Sequence, residues 1–134
     1  MLLATLDVPF DHEAVAFAVD TAAEAGERLV IANIVERPAL PLSTMLGYED
    51  LPYPPEMARS LAEPVERAQS LGVDVTRLRV KSMHPIAALL ETVAEQDPGV
   101  FVFGPDRSRI PRLRYRRAAK AIRAKVATLV WIAG

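Results

Sequence analysis

The chain has 134 residues, the length of about one domain, and its 51% apolar and 25% charged residues are globular composition, enough to bury a core and unlike a disordered chain. It has no cysteine, which excludes a disulfide scaffold, a thiolate nucleophile and any Cys-built metal site, and with two histidines, His12 and His84, a multi-histidine metal site is all but excluded too. The net charge of −1 hides a split, because residues 1–106 carry −10 while residues 107–134 carry +9 with no acid among them; a basic end on an acidic body points to an anion site, a nucleic-acid contact or self-association.

The first residues, Met1 to Asp7, lack a basic stretch and reach an acid at once, so no signal peptide is expected. No apolar run approaches the ~18 residues of a membrane span, and the cytoplasm is the expected compartment. Residues 2–6 form the first of five short apolar runs of strand length; the others are 29–35, 73–80, 100–103 and 128–132. Most are apolar at successive positions, the pattern of parallel strands buried on both faces. Between the first two runs Asp11 is a candidate N-cap, Val15, Ala18, Val19 and Ala22 repeat at helical spacing, and Gly26 is a stop. Residues 37–55 hold five of the eleven prolines and read as a loop. A helix is expected from near Pro55 to near Leu71, with a kink or break at Pro64. Pro85 suits a first helical position, and Ile86, Leu89, Leu90 and Val93 continue a stripe that ends at Pro98-Gly99. Tyr115, Ala118, Ala119, Ile122 and Val126 make a last stripe, with Arg116, Arg117, Lys120 and Arg123 on its other face. The alternation of strands and helices predicts one α/β domain over residues 1–134 with a parallel sheet and right-handed crossovers. Ligands in such sheets bind beyond the carboxyl ends of the strands, which puts Asp7, the residues after Val35, and Gly104-Pro105-Asp106 on one rim.

With these residues in place the whole chain resembles the universal stress protein family. The likeness rests on a first strand ending Leu3-Ala4-Thr5-Leu6-Asp7, and on a second strand, residues 29–35, leading into a long variable loop. It rests also on the turn Val80-Lys81-Ser82-Met83-His84-Pro85-Ile86 before a helix, and on Val100-Phe101-Val102-Phe103-Gly104 followed by a long loop, a helix and a last apolar strand. The resemblance implies a three-layer α/β sandwich with five parallel strands in the order 3-2-1-4-5, a stress-response or regulatory role, and dimerisation through the last strand.

Many members of that family bind ATP through Gly-x2-Gly-x9-Gly-[Ser/Thr] after the fourth strand, where glycines let backbone approach phosphate and a helix start donates N–H groups. Here Gly104 matches the first glycine, but Arg107, Arg117 and Ala118 occupy the remaining positions, and Met83 replaces the glycine of the turn before Pro85. Either the site is lost and no ATP binds, or arginine forks have replaced backbone donors and hold phosphate. Geometry favours loss, because several Cβ atoms cannot enter a glycine-dependent approach without rebuilding the loop. The expected function is therefore a non-catalytic regulatory protein with no cofactor. The alternative is an ATP- or AMP-binding protein with weak phosphohydrolase activity, Asp7 on the nucleoside and Arg107, Arg109 or Arg117 on the phosphates.

Asp7 reads equally as a ligand contact or a turn carboxylate. Thr5 and Ile34 fall near the family's adenine-side positions and read more simply as strand residues. Six arginines between 107 and 117 exceed what a solvated helix face needs, and serve as salt-bridge partners, an anion site or a nucleic-acid contact. Tyr115 is the one aromatic among them, which argues against a nucleic-acid stacking platform. His84 reads as a helix-start residue, and Ser82 and Ser108 lack the Gly-x-Ser-x-Gly elbow of a hydrolase. No P-loop or dinucleotide-binding glycine motif is present. The last strand, Thr128, Leu129, Val130, Trp131 and Ile132, would lie at a sheet edge with neither charge nor proline to protect it, which predicts a homodimer pairing it with its copy.

Overall fold

Strand β1 (Leu2–Thr5) lies at the centre of a five-stranded sheet, flanked by β2 (Leu29–Glu36) and β4 (Val100–Phe103), with β3 (Val75–Ser82) and β5 (Leu129–Ile132) at the edges. All four pairings are parallel, and the order is the expected β3-β2-β1-β4-β5. The computed structural model describes residues 1–37 and 53–133, so most of the proline-rich loop expected over 37–55 lies outside the described residues. All four residues of β1 are buried, as are Phe101, Val102 and Phe103 of β4, which is why these runs are apolar at successive positions. The edges differ. In β3 Thr76, Arg77 and Arg79 are exposed, because an edge strand has one neighbour and less cover. That strand also starts two residues later than its apolar run. Val73 instead packs into the core and closes the preceding helix, its N–H donating to the Ala68 carbonyl at 2.9 Å.

Helix α1 (His12–Ala25) begins where an Asp11 carboxylate oxygen accepts the Ala14 N–H at 2.9 Å. It ends at Gly26, whose φ of 65° is the left-handed conformation that glycine adopts without strain. Helix α2 (Pro55–Ser70) runs through Pro64 without a break, where the sequence predicts a kink or break. The proline forfeits one backbone hydrogen bond, but tertiary contacts hold the helix on both sides of it. His12 Nδ1 meets Glu63 at 3.0 Å and Arg67 meets Asp20 at 3.3 Å, each bridging α1 to α2, and Pro64 itself is buried. Helix α3 (Pro85–Gln96) has Pro85 in its first turn, and α4 (Arg112–Lys125) carries the basic end of the chain.

The two crossovers on each side make three layers. Val15, Ala18 and Val19 of α1 and Ala68 of α2 pack with Leu3, Ile31 and Val102 on one face of the sheet. Leu89 and Val93 of α3 and Ala118 and Ile122 of α4 pack with Leu2, Ala4, Ile34, Phe101 and Phe103 on the other. Among the described residues no helix is long and apolar enough to cross a membrane.

Candidate functional site

The strand order reverses between β1 and β4, and the loops beyond those two strands meet there. They are laced to each other. The Asp11 N–H donates to the Gly104 carbonyl at 2.9 Å, the Asp106 N–H to the Pro9 carbonyl at 2.8 Å, and Phe10 pairs with Pro105 in an isolated antiparallel bridge. The opening on this rim is displaced towards β2 and α2. It is a groove of about 420 Å³ bordered by Asp7, Val35, Tyr53, Met57, Arg79 and Arg109. This is the size of an ordinary small-ligand site.

Asp7 sits on that groove with φ 54°, the left-handed region that Asp and Asn tolerate best among residues with a Cβ. Its N–H donates to the Asn33 side-chain oxygen at 2.9 Å. The Asn33 amide in turn donates to the Tyr53 hydroxyl at 3.0 Å, and the Arg79 guanidinium lies over the Tyr53 ring at 4.0 Å. Asn33 is buried, the one polar interruption of the β2 run, so its hydrogen bonds set the position of Asp7 and Tyr53 together. Partial burial pushes the Asp7 carboxyl above its ordinary pKa, against the pull of Arg114, Arg79 and the Asn33 amide. Such a carboxyl can accept a hydrogen bond from a ligand hydroxyl or amine. Two of the groove's other charges are matched to each other, since Arg109 grips both carboxylate oxygens of Glu56. That contact holds Glu56 below the usual carboxylate range.

The remaining arginines of the loop go elsewhere. Arg107 lies over the Tyr115 ring at 3.6 Å, and the Tyr115 hydroxyl donates to the Ala133 carbonyl at 2.9 Å. Arg114 pairs with Glu36 at the end of β2. Arg117 lies on a different groove, beside the start of α3. Gly104 turns its missing side chain towards α1, where a Cβ would stand 2.6 Å from the Ala14 Cβ, so its smallness serves helix-on-sheet packing. Thr5 is fully buried and its hydroxyl donates to the Val8 carbonyl at 2.9 Å, while Ile34 is fully buried in the core under α3 and α4. Of the seven residues singled out in the sequence, then, Asp7 and Arg109 share the groove; Thr5, Ile34, Gly104, Arg107 and Arg117 do not line it. Sequence reading missed Asn33, Tyr53, Arg79 and Glu56. Asn33 left a signal, an amide in the middle of an apolar strand; the other three are brought in from other elements by the fold.

Ser108 is tied to its own turn, its hydroxyl donating to the Asp106 carboxylate at 2.7 Å and its N–H to the same oxygen at 2.9 Å. No cluster of three or more His, Asp or Glu side chains among the described residues is placed to hold a metal ion.

The family model for the universal stress protein family matches residues 1–131. The chain belongs to the universal stress protein family. Solved universal stress proteins share the fold. One from Burkholderia pseudomallei is 17% identical, with a TM-score of 0.65 over 98% of this chain and 94% of its own. A universal stress protein in complex with cAMP is 19% identical, with a TM-score of 0.62 over 100% of this chain and 96% of its own. One from Archaeoglobus fulgidus in complex with dAMP is 15% identical, with a TM-score of 0.61 over 98% of this chain and 96% of its own. A search of curated proteins finds no match to this chain. In this universal stress protein Gly104 seats a helix on the sheet.

Proposed function

We propose that this chain is a non-catalytic, regulatory universal stress protein that does not hold ATP. One observation carries the reading: the loop after β4, where the family's glycines would admit phosphate, is filled by its own contacts. Arg107 stacks on Tyr115, Arg109 is clamped by Glu56, and Asp106 and Gly104 are hydrogen-bonded to the loop after β1. A loop that cradles phosphate needs free N–H groups and close backbone approach, and here the N–H groups of Gly104, Asp106, Ser108, Arg109 and Ile110 are donated within the chain. Isothermal titration with ATP and magnesium tests it. No heat beyond dilution is expected; micromolar binding rejects the proposal.

The edge strand β5 supports a homodimer as the working form. Leu129 is 69% exposed, Val130, Trp131 and Ile132 are partly exposed, and no charge or proline interrupts the run. Within the chain Trp131 is covered in part by Phe17, the two rings stacked at 5.4 Å.

A second reading, a nucleoside monophosphate site with weak phosphohydrolase activity, draws on the groove beside Asp7. It offers a carboxylate, the Tyr53 ring and the Arg79 guanidinium within about 420 Å³, and two of the similar solved proteins are complexes with cAMP and dAMP. In that case AMP binds, Asp7→Ala and Arg109→Ala each weaken it about tenfold or more, and phosphate release from nucleotide is measurable. Absence of AMP binding removes this reading.

A further inference from the structure

Two of the five exposed large apolar side chains among the described residues, Met83 and Leu113, line one groove. It lies between the start of α3 and the first turns of α4 and holds about 470 Å³. Met83 is 50% and Leu113 58% exposed, and Pro85 and Ile86 add to the apolar lining. The charged side chains on it are Arg114 and Arg117; no acidic residue lines it. Arg114 is engaged by Glu36, whereas Arg117 has no ion pair or hydrogen bond among the described residues. The same is true of Arg112, Arg116, Lys120 and Arg123, all exposed on α4, so the helix continues from the groove as an unneutralised cationic strip. The acidic body of the chain does not balance it. Its ion pairs with the basic segment use Arg109 and Arg114 only, among the described residues.

We infer that this groove docks an acidic segment of a partner protein. An apolar side chain of that segment sits between Met83 and Leu113, and its carboxylates meet Arg117 and the neighbouring cations of α4. Charge complementarity selects the class: a cationic strip attracts and orients a polyanion, and the apolar lining selects a peptide among polyanions. A nucleic-acid backbone would leave Met83 and Leu113 uncovered. The aromatic ring that could stack a base, Tyr115, is already in contact with Arg107 and Phe103. The groove shares no lining residue with the one beside Asp7, so the surface stands whether or not that site holds a nucleotide.

The test uses the full chain and a fluorescein-labelled peptide, Glu-Glu-Leu-Asp-Phe-Glu-Glu, read by fluorescence anisotropy. Two comparison peptides replace Leu and Phe by Ala, or every acid by its amide. A single-stranded DNA oligonucleotide is the competitor. The acidic apolar peptide should bind in the micromolar range, and each comparison peptide about tenfold or more weaker. Leu113→Ser, Met83→Ser and Arg117→Glu should each weaken it by a similar factor while leaving the melting temperature unchanged, since all three residues are exposed. Binding that ignores the apolar residues, or that survives Leu113→Ser, overturns the inference. So does displacement of the peptide by stoichiometric oligonucleotide. Self-association lost in Leu113→Ser, measured by sedimentation, would show instead that a second copy of the chain occupies the groove and would also overturn it.

Discussion

Gly104 and Asp7 both sit at strand ends, and for both the surroundings decide the role. A side chain at Gly104 would meet Ala14 at 2.6 Å and Leu3 at 3.1 Å, contacts that force α1 off the sheet. Gly104→Ala should therefore cost about 1–3 kcal/mol of stability, the range for overpacking a well-filled core, read as the shift of a urea midpoint. A change under about 0.5 kcal/mol, the scatter of neutral surface substitutions, would mean that the helix moves freely. Asp7 is desolvated more than it is paired, so its carboxyl binds a proton more tightly in the folded chain than in the unfolded one. The sign follows: stability falls as pH rises from the ordinary carboxyl value through the raised one, and the charged form is a cost above that window. Asp7→Asn keeps the left-handed backbone and removes the charge. It should be more stable than the wild type at neutral pH, with the difference shrinking as the pH is lowered towards 3.8, the ordinary value. An equal gain at both ends of that range would show that the charge is not the cause.

At the scale of elements, α1 and α2 show how tertiary contacts override local propensity. Pro64 should kink or break α2 on sequence grounds, yet the helix continues because Leu61, Val65 and Ala68 on either side of it pack into the core, with the exposed pairs His12–Glu63 and Arg67–Asp20 adding to the hold on α1. The first of these pairs is pH-dependent. The Glu63 hydrogen bond, and then its charge, raise the His12 pKa above 6.5. The stabilisation is thus fully present below that value and is lost as pH rises through the raised one. The pair is exposed, so screening holds its worth to about 1 kcal/mol or less. Glu63→Gln should lower the thermal midpoint below pH 6.5 and leave it unchanged well above the folded value. A loss of the same size at high pH would assign the effect to packing. Most elements were legible beforehand: Asp11, Gly26 and Pro85 mark helix ends in the structure as in the sequence, because capping is local chemistry. The offset of β3 was not, because Val73 is apolar for the sake of the core and not of a strand.

The whole molecule has an unprotected side. Strand β5 pairs with β4 through residues Leu129 to Ile132 and leaves its outer edge without a partner among the described residues. A row of free backbone groups beside exposed apolar side chains is a template for another strand, and a two-fold axis lets one strand serve both copies. The homodimer proposed for this edge predicts that Val130→Lys shifts the protein to monomer in light scattering. A wild type that runs near 14.7 kDa at micromolar concentration ends that proposal.

By itself the sequence determined the fold class, since five apolar runs alternating with helical stripes admit little besides a parallel sheet with crossovers. It also set Arg107, Arg117 and Ala118 at a fixed spacing after Gly104, because that is a matter of residue identity. Only the tertiary structure decided what these residues do. Six arginines within eleven residues are indistinguishable as a run, but the fold sends Arg107 to an aromatic ring, Arg109 to Glu56, Arg114 to Glu36 and Arg117 to an open groove. Their partners lie up to 78 positions away in the chain, and a guanidinium reads as a ligand clamp, a structural tie or a docking charge according to which carboxylate or ring the packing brings within reach.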